Sequence, residues 1–275
     1  MALPASGAIS LSQVSVELGE AATSTRSLND STTRNLFGVG SGGISMSNGY
    51  GKANAFGFAV ASNVTNANLR TLAVNAGWNE TSALTCTLNS GIYFISSAVG
   101  TAGLTINGSV PGGVTFVNNG IVVGDHGDGG GGGAWANAGG AGGTGGLALL
   151  IQSAVSIQNN GTIAGGGGGG GGGGSARGVN SNGDTFSPVA GGNGGRGKSV
   201  SGPLGGNSGQ AVGQSFKGGT GGTGGQWGAS GGAGATGQGN DGTRPGGSGG
   251  GGGAATSGQS NVTWLATGTR LGSLG

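Results

Sequence analysis

Residues 192–199, Gly192-Asn193-Gly194-Gly195-Arg196-Gly197-Lys198-Ser199, fit the phosphate-loop pattern G-x-x-x-x-G-K-S. There, backbone amides and a lysine cradle a nucleotide's phosphates. That chemistry needs a strand before the loop and a helix after it. Val200-Ser201-Gly202-Pro203-Leu204-Gly205-Gly206 follows and cannot open a helix. In so glycine-rich a stretch the pattern arises by coincidence, and no nucleotide or other cofactor is expected. Asp125-His126-Gly127-Asp128 holds the only histidine and reads as a solvated loop. Zinc takes three or four suitable ligands and a hydrolytic triad needs its partners. One histidine, one cysteine and scattered carboxylates supply neither, so no catalytic residue and no metal site is expected; only a carboxylate calcium site stays open. Cleavage of a polysaccharide needs paired carboxylates, yet Glu17, Glu20 and Glu80 are the only glutamates and none lies in the second half. Cys86 stands alone and alternates with polar residues, the place of a small core side chain.

Seven residues with another kind of chemistry remain: Arg177, Phe186, Lys198, Phe216, Lys217, Trp227 and Arg244. All fall in interruptions between glycine runs. Aromatics mixed with cations are the usual anchors of a macromolecular contact, and loops on a rigid scaffold are where recognition sits. The competing reading of Trp227 and the two phenylalanines is that they pin loops to the scaffold. The interruptions favoured for an exposed end are the longer ones, 175–190, 198–204, 210–217 and 238–245.

The scaffold must be unusual. Of 275 residues 77 are glycine, only 7% are charged, and the net charge is +2. Disordered chains usually rely on charge for solubility. Collagen needs glycine at every third position and abundant proline; five prolines exclude it. Ten Lys+Arg spread along the chain make no basic stripe for nucleic acid. The start, Met1-Ala2-Leu3-Pro4, has no secretion-signal features, and no apolar run is long enough for membrane insertion.

Glycine is unevenly placed, 17 residues in 1–123 and 60 in 124–275. Residues 1–55 read as a small docking segment with short helices. Ser10 and Gln13 have capping-box spacing, followed by Leu11, Val14 and Leu18 on one face. A second helix starts near Ser27 or Asn29 and ends at Gly38. The segment has too few large apolar residues for its own core and should complete it against a partner or the rest of the chain. Residues 56–123 read as β-rich: Leu84, Cys86 and Leu88 alternate inward, Asn89-Ser90-Gly91 turns, and residues 92–95 return as a second strand. A repeat crosses the boundary. Val114-Thr115-Phe116-Val117-Asn118-Asn119-Gly120 is matched by Val155-Ser156-Ile157-Gln158-Asn159-Asn160-Gly161, each followed by a short strand and a glycine run. Leu104-Thr105-Ile106-Asn107-Gly108 is a shorter cousin. Such repeats imply stacked rungs of a solenoid-like layer.

Residues 124–258, interrupted by a β rung at 147–164, carry glycine runs of about seven to ten residues, many on a G-G-x beat. In a helix of three residues per turn that beat puts x on one face and leaves two faces bare. Neighbouring backbones can then approach and bond the amides that such a helix leaves unpaired. Residues 259–275 leave the pattern and supply a closing strand, with Trp264 as a buried anchor. The fold class is therefore mainly β and polyglycine-II: a docking segment, a β layer, and a C-terminal glycine-rich bundle displaying loops.

Two stretches carry a resemblance. Ile9-Ser10-Leu11-Ser12-Gln13-Val14, Leu36-Phe37-Gly38 and residues 41–52 resemble the N-terminal segment of tailed-bacteriophage virion proteins, tail components above all. Asn159-Asn160-Gly161-Thr162-Ile163-Ala164 running into ten glycines is similar to the glycine-rich tip adhesins of T-even-like long tail fibres. In those adhesins an attachment domain docks on the fibre end and a polyglycine-II bundle carries loops that bind outer-membrane proteins. The first 55 residues here differ from that attachment domain. The resemblance implies a non-enzymatic receptor-binding protein of the virion, at a tail or tail-fibre tip. Residues 1–55 would face a phage tail or fibre protein, and the loops an outer-membrane protein or surface glycan of the host. A purely structural virion protein is the alternative.

Overall fold

The computed structural model describes residues 3–275 other than 53, 79, 81, 111, 180, 181, 183–187, 201, 208 and 213–215. The head opens with α1 (Leu11–Glu17), whose capping box between Ser10 and Gln13 is complete. Helix α2 (Ser31–Phe37) starts later than its sequence suggested, after Asp30, and ends where Gly38 takes the left-handed conformation. Contrary to expectation the head has its own core, in which Leu3, Ile9, Val14 and Phe37 are buried among Leu18, Leu28, Leu36, Val39, Ile44 and Met46. Polar bonds make up for its small size. The guanidinium of Arg26, almost wholly buried, donates to Ser15, Thr32 and Thr33 and pairs with Glu20. The Leu3 amide donates to the Lys52 carbonyl at 2.8 Å, closing the head on itself.

From residue 55 the chain coils. The first rung is β1 (Ala55–Val60), β2 (Val64–Thr65) and β3 (Ala67–Asn68), followed by α3 (Leu69–Asn75). The second is β4 (Ala83–Leu88), β5 (Tyr93–Ile95) and β6 (Leu104–Ile106). The third is β7 (Val114–Asn118), β8 (Ile121–Val123) and, after an excursion over 124–146, β9 (Leu149–Ile151). The fourth is β10 (Val155–Asn159) and β11 (Thr162–Ala164). A long excursion over 165–253 contains a small hairpin, β12 (Ala211–Val212) with β13 (Phe216–Lys217), before β14 (Thr256–Ser257) completes the rung. Strands β15 (Val262–Ala266) and β16 (Thr269–Leu271) form the last. Corresponding strands stack in parallel as three sheets, β1-β4-β7-β10-β15, β2-β5-β8-β11-β16 and β3-β6-β9-β14. The three enclose one core that includes Leu84, Cys86, Phe94, Leu104, Phe116, Leu149, Ile157 and Ile163. Burial pushes the Cys86 thiol up to about 12, so it stays protonated and unreactive at neutral pH.

The Asn-Asn-Gly repeat marks a stacked corner. Asn118 and Asn159 pair in register, and the Asn118 amide donates to Asn159 Oδ1 at 2.7 Å. Three expectations need correction. Asn89-Ser90-Gly91 is a corner between two sheets rather than a hairpin turn, because β4 and β5 never pair with each other. Leu104–Ile106 belongs to the third sheet beside β9, so it is not a copy of the corner repeat. Trp264 is half-buried at the end of the stack, with Arg270 over its ring at 4.7 Å. Helix α3 was not anticipated, although Asn68 caps it through the Thr71 amide and Leu69 and Ala73 are buried in the core. No helix among the described residues is long and apolar enough to cross a membrane.

Both excursions leave the coil between its second and third sheets, one rung apart, so they start side by side. The β8–β11 ladder continues into them with a longer step: amides of Gly124, Gly127, Gly130 and Gly133 donate to Ala164, Gly167, Gly170 and Gly173. Run 165–174 lies at the centre. Its Gly166, Gly169 and Gly172 amides donate to run 139–146, Gly167, Gly170 and Gly173 to run 191–198, and Gly168, Gly171 and Gly174 to run 229–235. Its carbonyls accept in turn from runs 127–133, 219–225 and 247–253. With neighbours on every side, no position of this run has room for a Cβ. One built on Gly166 would lie 1.6 Å from the Asp125 oxygen, and one on Gly170 2.1 Å from the Gly222 oxygen. That is the reason for ten uninterrupted glycines.

Candidate functional site

The runs give the excursions two ends. Gly124, Gly146, Gly165 and Gly253 lie beside sheet strands, so every odd-numbered run of each excursion finishes far from the sheets. The described residues of interruptions 134–138, 175–190, 211–217 and 238–245 are far; those of 198–203 and 226–229 are near. The far end brings together Arg177, Phe216, Lys217 and Arg244. Phe186 falls outside the described residues.

Lys198 and Trp227 are not with them. The Trp227 indole nitrogen donates to the Ser199 carbonyl at 2.6 Å, and the Lys198 ammonium lies 4.3 Å over its ring. The sequence put 198–204 at the exposed end because it is long and varied, but chain direction decides the end. Trp227 thus ties two sheet-side loops together. Trp227→Ala should cost about 2 kcal/mol through the lost hydrogen bond, cation–π contact and packing. A thermal melt should show that loss, whereas ligand binding per folded molecule should be unchanged.

The phosphate-loop pattern ends here too. Its amides are committed: Gly192 to Gly219, Gly194 to Gly130, Gly195 to Gly222, Gly197 to Gly127 and Lys198 to Gly225, leaving none of these to cradle a phosphate. Asp125, His126 and Asp128 lie in the first run rather than a solvated loop. His126 Nδ1 is 2.8 Å from Asp125 Oδ1, and its Nε2 is 3.4 Å from an Arg196 nitrogen. Among the described residues no group of three or more His, Cys, Asp and Glu side chains is placed to hold a metal ion.

At the far end the loops are bound to one another. Arg177 pairs with Asp241 at 3.3 Å, and Asn240 exchanges two hydrogen bonds with the Val179 backbone. Ala176 bridges both Val189 and Thr243, and Lys217 bridges Gln238. The Phe216 ring packs on Gly178, where a Cβ would meet it at 2.1 Å. Arg244 Nε donates to the Ala136 carbonyl at 2.5 Å, so this cation also holds the 134–138 turn. The sequence passed over that turn because it is short. It carries Trp135, which is 81% exposed. An aromatic flanked by two glycine runs was the available signal.

The described residues of this end are a set of cross-braced loops with exposed aromatic and basic groups, fit for gripping a macromolecule. No curated protein matches the chain. A crystal structure of the gp37-gp38 adhesin tip complex of the bacteriophage S16 long tail fibre is similar at 21% identity, covering 88% of this chain and 91% of that one, with a TM-score of 0.49. The model of the family described as phage tail fibre adhesin Gp38 matches residues 55–275. With all three sheets and both glycine excursions inside that match, the chain belongs to the phage tail fibre adhesin Gp38 family: it is a virion protein of the tail fibre that binds a host surface receptor, and not an enzyme.

Proposed function

We propose that this adhesin sits at a tail-fibre tip and grips an outer-membrane protein of the host with the far-end loops of a polyglycine-II bundle. The three-residue hydrogen-bond period of the glycine runs supports polyglycine-II, since it is the period at which successive residues face three different neighbours. Three bodies follow from this reading. Residues 1–55 attach the chain to a phage tail or fibre protein. Residues 56–123, the rung at 147–164 and the closing strands in 259–275 form the coiled base. The remainder of 124–258 displays the contact loops.

The observation that carries the reading is the position of the cross-braced loops, at the ends of the runs opposite the coil. Arg177, Phe186, Phe216, Lys217 and Arg244 are the contact residues it retains. Of these Lys217 is exposed and joins the bracing through its backbone bridge to Gln238, whereas Arg177 and Arg244 join it through their side chains. Lys217→Glu should weaken adsorption of the purified protein to host cells about tenfold, or ~1.4 kcal/mol, with an unchanged melting temperature. Immunogold labelling of virions should place the chain at fibre ends. Label elsewhere would refute the tip assignment. Full adsorption after charge reversal at Lys217 and truncation of Phe216 and Trp135 together would move the contact off this end.

A further inference from the structure

We propose that Trp135 is the projecting anchor of the far-end contact, a knob that enters an apolar recess of a folded receptor protein; this rests on the far-end reading above. Residues 134–137 form a turn closed by the Asn137 amide on the Ala134 carbonyl at 3.0 Å. Both central residues have positive φ, 51° at Trp135 and 67° at Ala136. Positive φ at both centres is the requirement of a type I′ turn, which elsewhere takes Asn-Gly or Gly-Gly. A tryptophan there is a backbone outlier, disfavoured by contact between its Cβ and the carbonyl.

Glycine would relieve that strain, and Gly133 and Gly139 flank this very turn. A bulky side chain therefore stands at a position where the local backbone favours none. Packing does not account for it, since the residue is 81% exposed. The turn is also held from below. Ser175, fully buried, donates both its amide and its hydroxyl to the Asn137 carbonyl, at 3.2 and 2.8 Å, and Arg244 Nε binds the Ala136 carbonyl. Strain retained by an over-determined frame is characteristic of ligand contacts.

The indole is thus offered on a fixed base, with only two side-chain rotors to freeze on binding. Its shape selects the partner. Small-molecule sites are concave and enclose their ligand. A ring standing clear of the surface is instead the complement of a recess, and a folded protein supplies one.

The test uses full-length Trp135→Gly, Trp135→Phe and Lys217→Glu, read by adsorption to intact host cells and by thermal melting. Trp135→Gly should lose about thirtyfold in adsorption, some 2 kcal/mol, while melting at or above the native temperature. Trp135→Phe should fall between. Native adsorption by Trp135→Gly overturns the anchor, and so does a lower melting temperature, which would make the indole a pin of the fold. If Lys217→Glu loses adsorption and Trp135→Gly does not, this proposal fails while the far-end reading stands; if neither loses it, the far-end reading fails as well. Protease shaving of the cells should abolish native adsorption and periodate oxidation should spare it. The reverse result overturns the partner class.

Discussion

Gly169→Ala should deprive the protein of its glycine-rich body, while Gly205→Ala should leave it intact or slightly firmer. A Cβ on Gly169 would lie 1.8 Å from the Asp128 carbonyl oxygen and 2.4 Å from its carbon. Both are backbone atoms, so no rotamer can yield. The Gly169 amide donates to Gly143, and its carbonyl accepts from Gly250, so displacing this residue breaks bonds to several neighbours together. The expected cost is about 3 kcal/mol or more, at the upper end of overpacking effects. Such a loss is a large part of the ~5–15 kcal/mol available to a typical domain. Gly205 has nothing within 4 Å of its added Cβ. There alanine mainly removes freedom from the unfolded chain, a gain of about 0.4–1 kcal/mol. Calorimetry on the pair decides the matter. Equal melting temperatures would mean that close approach of backbones is not what holds the runs together.

The same geometry explains what could be read from the residues. A G-G-x beat implies two bare faces and one dressed face. Outer runs keep it, as in Gly218-Gly219-Thr220-Gly221-Gly222-Thr223, where both threonines are exposed. A run with no x at all must be enclosed on every side, so 165–174 was identifiable as the centre from sequence alone. The parity of the interruptions was legible too. Starting at Ala164, each run reverses direction, which sends 175–190 to the far end and 198–203 back to the sheets. Choosing loops by richness instead misplaced Lys198, and for Trp227, which lies outside those loops, the competing reading as a pin is the one its bonds match. Trp135 was passed over for its brevity of context, and its positive φ is a property of the folded backbone.

Other features depended on contacts between distant residues. Asn89-Ser90-Gly91 carries hairpin chemistry, and only the parallel stacking of β4 on β1 and β7 makes it a corner. A count of large apolar residues makes the head look deficient and gives no sign that Arg26 adds to its cohesion. The burial of Arg26 against Ser15, Thr32 and Thr33 depends on α1 and α2 meeting. The repeat at 114–120 and 155–161, by contrast, announced its own stacking, because identical corners one rung apart bring like side chains together.

That corner carries the last large effect. Asn159 is buried, and its amide nitrogen donates to the Thr267 and Thr269 carbonyls at 2.8 and 3.2 Å while its oxygen accepts from Asn118. One side chain thus joins three successive rungs. Asn159→Leu has similar bulk but leaves two carbonyls without this partner and the Asn118 amide with the Thr162 carbonyl alone. At about 1–3 kcal/mol for each group left unsatisfied, the expected loss is ~3–5 kcal/mol. Fraying should start at the end of the stack, so amide exchange should accelerate first in 262–271. Its neighbour Asn160 makes a ladder bond of similar length to Asn119, 2.9 Å, but in the open. Water replaces that bond, and Asn160→Ala should cost no more than about 0.5 kcal/mol. Adjacent residues of one type, in one repeat and with near-equal bond lengths, should therefore differ by a factor of about six or more in energy. If the two substitutions cost the same, burial is not what gives the asparagine ladder its strength, and the stack owes its order to the apolar core alone.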